Sequence, residues 1–177
     1  MGSFDLIMKN FILLIALLIF AFSFSQQADP KEAFLEKWGN SRDYLIAMAE
    51  LMPEQFYNFK PTERQRSFKE QLLHIKGNID WLSGTYFSTE DYKQLKTDPA
   101  VSKEEIIKLL TDAFNASSEI IKKTSKEELK ETVKFFAGPK SKLQILNLLQ
   151  DHVTHHRGQL IVYLNLKNQE PPKYVGW

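Results

Sequence analysis

Asp151-His152-Val153-Thr154-His155-His156-Arg157-Gly158-Gln159-Leu160 is the stretch on which the reading of this chain turns. His152 and His156 are four apart, so on a helix they project from one face, one turn from each other, a spacing that lets two imidazoles hold one metal ion. The seam they belong to runs Ile145, Leu149, His152, His156, Gln159, Tyr163 in steps of four and three, the pattern of a helix packed in a bundle. The two histidines therefore stand where core residues are expected. A buried neutral imidazole needs a partner for a donor and for an acceptor nitrogen, and an aliphatic seam offers few, so a bound cation is one way to satisfy both rings. A third ligand is needed, and His74, on another predicted helix, is the candidate.

Spacing alone leaves other readings open: a hydrogen-bonded core pair, or a pair half exposed to solvent. His155 lies about 100° round the helix from His156, which puts it on the rim. Arg157 is expected off the seam as well. Gly158, in mid-helix, costs about 1 kcal/mol relative to alanine and suggests that a helix or a ligand comes close there.

The 177 residues carry 23 Lys plus Arg against 22 Asp plus Glu. There is no basic excess to neutralise phosphates, so nucleic acid is not an expected partner. The absence of cysteine excludes disulfides, thiolate metal sites and a cysteine nucleophile, and leaves His, Asp and Glu as the available metal ligands.

At the N-terminus Lys9 and Asn10 precede an apolar run from Phe11 to Phe22, and Ser23-Phe24-Ser25 places small residues before a cut at Gln26. This reads as a signal peptide over residues 1–25, with Met8 a more usual start than Met1. The run is shorter than the roughly 20 residues of a membrane span. The expected mature protein, residues 26–177, is one domain, exported to the periplasm or the extracellular space, and meets a membrane only through the signal peptide before cleavage.

A first helix is predicted from Pro30, with Phe34, Trp38, Leu45, Met48 and Met52 at near-helical spacing until Pro53. An aromatic loop from Glu54 to Pro61 follows. Thr62 and Gln65 read as a capping box that opens a second helix with the stripe Phe68, Leu72, Ile75, Ile79 and Leu82. His74 lies beside that stripe, on an edge with Gln71, Asn78 and Trp81, where Asn78 is the expected outer partner of its ring. Gly84 to Pro99 is a polar connection long enough to cross a bundle from end to end. Ser102 with Glu105, Ser125 with Glu128 and Ser141 with Gln144 repeat the capping pattern before a third helix, a short turn and the last helix, which is expected to reach about Asn168. Gly138-Pro139 breaks the chain ahead of it, and the tail Pro171–Trp177 is expected to dock on the bundle. Four long helices, few strand signals and a crossover connection make an all-α four-helix bundle with ligands facing inward from its middle.

Phe59-Lys60-Pro61-Thr62, the run from Ser67 to Ile75 that contains His74, the run from His152 to Leu160, and the closing Pro171-Pro172-Lys173-Tyr174 and Gly176-Trp177 resemble the DinB superfamily, including its YfiT-like members, over nearly all of residues 26–177. The resemblance implies a four-helix bundle with a divalent ion held by three histidines, at the positions of His74, His152 and His156. It also implies candidate activities, since relatives with assigned roles include transferases and isomerases that use a low-molecular-weight thiol. Export would separate this chain from such a thiol pool.

The expected function is that of a metal-dependent enzyme, a hydrolase or lyase on a small molecule, with an open position on the ion. An ion so placed lowers the pKa of bound water from 15.7 to about 7 or polarises a carbonyl. Zinc and nickel both suit imidazole. Val153 and Thr154 stand where the glutamate of an H-E-x-x-H peptidase would begin, so that base is absent. A metal-dependent thiol S-transferase and a non-catalytic, metal-stabilised binding module are the rival readings, and a homodimer is compatible with any of them. Gln159 and Tyr163 are candidates to orient a ligand or to pack.

Overall fold

The computed structural model describes residues 8, 10–13, 29–93 and 100–177. The chain divides into a unit of Met1–Pro30 and a unit of Lys31–Trp177. In the first, residues 10–13 are helical. Most of the expected apolar run, the cleavage residues 23–26, and residues 94–99 of the polar connection lie outside the described residues. Among the described residues no helix is long and apolar enough to cross a membrane.

Among the described residues the second unit is built on four α-helices: α1 (Pro30–Leu51), α2 (Phe68–Tyr86), α3 (Lys103–Lys123) and α4 (Lys142–Leu166). Their directions follow from side-chain contacts. Trp38 Nε1 on α1 donates to Ser117 Oγ on α3 at 2.9 Å, and Lys103 Nζ at the start of α3 reaches the Met52 carbonyl just past the end of α1 at 2.9 Å, so these two helices are antiparallel. Gln150 and Arg157 of α4 meet Ser41 and Tyr44 of α1 in the same order, so α1 and α4 run parallel. Against α2, the order reverses: His152 meets His74, and Gln159 meets Gln71. The helices therefore run up, down, down, up. Two successive helices in one direction require a connection as long as the bundle, and the sequence between α2 and α3 is long enough for one.

The expected stripes of the first two helices are core: Phe34, Trp38, Leu45, Met48 and Met52, then Phe68, Leu72, Ile75, Ile79 and Leu82 are all buried, and α3 adds Ile106, Leu110, Ala113 and Ile121. Ser102 and Ser141 cap α3 and α4 with reciprocal bonds to Glu105 and Gln144, and Ser125 and Glu128 pair in the same way at a 3-10 turn, as the spacing predicts. α4 stops slightly earlier than expected, where Asn168 takes a left-handed φ of 56° and Gln169 N donates back to the Leu164 carbonyl.

One expectation is corrected, and two regions gain detail that the sequence left open. The cap of α2 is not Thr62 with Gln65: those residues form only a turn, while Ser67 Oγ accepts from Glu70 N at 3.1 Å and the Glu70 carboxylate accepts from Ser67 N at 2.6 Å. The aromatic loop decides this, because its Phe59 and Tyr57 carbonyls take the N–H groups of Phe68 and Lys69, which holds the helix start at Phe68. The Val133–Pro139 segment is a small antiparallel hairpin, β1 (Thr132–Val133) with β2 (Lys140–Ser141), turning through Gly138 at φ 92°. Strands of two residues are too short to leave an alternating signal. The tail touches α1 through its backbone, where Asn40 Nδ2 donates to the Trp177 carbonyl, while the Tyr174 and Trp177 rings stay exposed.

Ser67→Ala should lower the unfolding free energy by about 1 kcal/mol in urea titration, whereas Thr62→Ala should change it by less than about 0.5 kcal/mol. Equal losses would return the cap to Thr62.

Candidate metal centre

Antiparallel register between α2 and α4 brings residues distant in sequence to one point. The His74, His152 and His156 rings face one another with centroids 4.8, 4.6 and 4.4 Å apart. His74 Nε2 and His152 Nε2 are 3.1 Å apart. One potential ligand nitrogen from each of the three rings lies within 4.8 Å of the others. Imidazole nitrogens that share one ion at bonds of about 2.0–2.1 Å stand about 3.3 Å apart when the angle is tetrahedral. The tightest pair is already at that distance, and the widest separation would close by about 1.5 Å.

Hydrogen bonding fixes which nitrogen is free. His156 Nδ1 is 2.8 Å from Gln71 Oε1, an acceptor, so Nδ1 carries the proton and Nε2 keeps its lone pair. Gln71 is itself held: it is buried, and its Nε2 donates to Gln159 Oε1 at 2.6 Å. Gln159 Nε2 in turn donates to His155 Nε2 at 2.9 Å. Tyr163 OH donates to the Arg66 carbonyl at 2.6 Å, which ties the end of α4 to the residue before the α2 cap. An imidazole whose second nitrogen is bonded in this way is held in ring orientation and tautomer, the arrangement that metal-ligating histidines need.

All three rings are biased toward the neutral form. Burial, then the nearby histidines and Arg66, push His152 down to about 3, and burial followed by His74, His155 and Arg66 pushes His156 down to about 4. His74 is lowered by burial and by Arg66. Neutral imidazole is the form that ligates, so the donor set fits a divalent cation at neutral pH. His152 Nδ1 is buried without a partner.

A sequence model of the DinB family matches residues 25–175. The chain belongs to the DinB family. A DinB-like protein of Bacillus subtilis superposes with a TM-score of 0.70 at 18% identity, over 82% of this chain and 99% of that one. A DinB-like protein of Bacillus cereus gives 0.70 at 21% identity, over 81% and 97%. At these identities the likeness is one of fold. No curated protein matches the chain. Family membership and the three-histidine group together fit a metal-binding DinB-like protein.

Residue by residue, this DinB-family bundle brings His74, His152 and His156 together and leaves His155 exposed, as the helical geometry predicts. Gln159 and Tyr163 support the site by holding Gln71 and the chain at Arg66. Asn78 does not partner His74; its Oδ1 is buried with no hydrogen bond, and the ring that gains an amide partner is His156, from Gln71 two turns earlier on α2. Gly158 is exposed, and an added Cβ would meet nothing within 4 Å, so the expected close approach is not there. Arg157, expected off the seam, is 4% exposed and lies 4.8 Å from the Tyr44 ring centroid. α4 has a second buried stripe, Gln150, Val153, Arg157, Leu160, Leu164, whose regular spacing was there to be found. Gln71 and Arg66 carried no motif of their own.

Gln71→Leu should weaken metal binding about 10–100-fold by freeing the His156 ring, measured by competition with a chromophoric chelator. In the metal-free protein the histidine pKa values in the fold lie below the unfolded value near 6.5, so between about pH 6.5 and 3 the unfolded chain binds more protons. Stability should therefore fall as pH is lowered through that window, and the urea midpoint of His152→Gln should fall less steeply. A midpoint independent of pH would contradict the burial of neutral rings.

Proposed function

We propose that this DinB-family protein is an exported metal-dependent enzyme, a hydrolase or lyase acting on a small molecule at an ion held by His74, His152 and His156. The observation that carries the reading is the set of three convergent, neutral imidazoles with no carboxylate or fourth histidine among the described residues of the group. Three protein ligands are the pattern of a site that keeps a position for substrate, whereas structural ions take four. Zinc or nickel suits three imidazoles. A bound ion supplies a Lewis acid to the reacting group of the substrate. The chain's own part is to hold the ligands: Gln71 fixes the His156 tautomer, Gln159 and His155 fix Gln71, and Arg66 adds positive charge at the same place. Export is supported by the charge, apolar run and small residues at 9–25.

Elemental analysis of the untagged protein should give about one zinc or nickel per chain, and less than about a tenth of that in His156→Ala, since a two-imidazole site is far weaker. The cobalt-substituted protein should change its visible spectrum on addition of azide. Full occupancy in His156→Ala would end the three-histidine reading, and a spectrum unmoved by azide would favour a closed, structural ion. N-terminal sequencing of the secreted protein should begin at Gln26.

A further inference from the structure

Beside the three histidines α2 presents a second row of residues. Leu73, His74, Gly77, Asn78 and Trp81 line a cleft of about 410 Å³, in the size range of small-molecule sites. His74 forms one end of it, so the cleft reaches one of the three candidate ligands.

The other end is aromatic. Trp81 stacks on Phe135 with centroids 6.1 Å apart and planes 22° apart, and on Phe136 at 6.4 Å and 28°. Phe136 is 83% exposed, an unusual place for a phenylalanine that only packs. Between the two ends sits Gly77. A Cβ there would meet nothing within 4 Å, so no neighbouring helix demands glycine at that point. Glycine is unfavourable inside a helix, and here its effect is to leave the floor of the cleft empty. Asn78 also lines the cleft, although its Oδ1 is buried and turned away from solvent, with no partner.

We propose that this cleft is the substrate subsite of the metal centre. It takes a small molecule with one flat aromatic or conjugated group that stacks on Trp81 and a heteroatom that reaches the ion at His74. The inference rests on the metal-centre reading above. Trp81 is seven residues past His74, about 10 Å along the helix axis, which is the reach of a single ring with a short polar head. A long aliphatic chain would overrun that distance and gain nothing from the ring stack.

Benzohydroxamate and acetohydroxamate chelate through the same group and differ in the ring, so their affinities for the cobalt-loaded protein, read from its visible spectrum, isolate the subsite. The aromatic probe should bind about 10-fold more tightly, the scale of one stacked ring. In Trp81→Ala and in Gly77→Leu, which fills the floor with a good helix former, that ratio should fall below about 2, with cobalt content and acetohydroxamate affinity unchanged. If the protein takes up no cobalt, the metal reading fails by itself. The cleft is then read by NMR of the metal-free protein, where benzohydroxamate should shift the Trp81 indole N–H resonance in the wild type and not in Gly77→Leu. A ratio that survives both substitutions, a ring probe no tighter than acetohydroxamate, or an indole resonance unmoved by the ring probe overturns the subsite.

Discussion

A hydrogen bond between side chains 85 residues apart, from His156 Nδ1 to Gln71 Oε1, is the contact on which the candidate site depends. It joins α2 to α4 at one register. A shift of either helix by one turn, about 5.4 Å, would separate His74 from His152 and His156. The same contact aims the free nitrogen of His156 at the other two rings. The caps at Ser67 and Ser141 fix where each helix starts, and the Tyr163 bond to the Arg66 carbonyl ties α4 to the entry of α2. The position of the His156 imidazole is thus set by backbone and amide groups around it.

That arrangement has an electrostatic consequence. Neutral imidazoles compensate none of a divalent charge, and Arg66 adds to it, so a fourth ligand that is anionic, or becomes so, is favoured. The burial that keeps the rings neutral also lowers the local dielectric and strengthens that preference. The α4 residues facing α1 do a different task. Arg157, buried against Tyr44, and Gln150, bonded to Ser41, pack the opposite side of the same helix.

Much of this was legible in the chain. The i, i+4 histidines, the aliphatic stripes and three of the Ser-x-x-Glu/Gln boxes each follow from helix periodicity, which the bundle preserves. What escaped depends on partners from elsewhere in the chain. Thr62 with Gln65 has the capping spacing, but the Tyr57 and Phe59 carbonyls claim the helix start five residues on. Gln71 differs from any buried polar residue only because α4 places His156 opposite it. Arg157 lies off the histidine seam, as expected, and its burial comes from a second neighbour, α1, which one seam does not register; a glycine in a helix signals close approach only where something is near, and beside Gly158 there is open space. The hairpin at 132–141 is too short to carry a period.

The most direct measurement is the anomalous diffraction of a crystal soaked with zinc, collected on either side of the zinc absorption edge. One peak should lie about 2.0–2.1 Å from a nitrogen of each of His74, His152 and His156, with His156 bound through Nε2 and its Nδ1 still on Gln71. A peak coordinated by His155, or one that leaves His74 beyond bonding distance, would contradict the three-histidine centre.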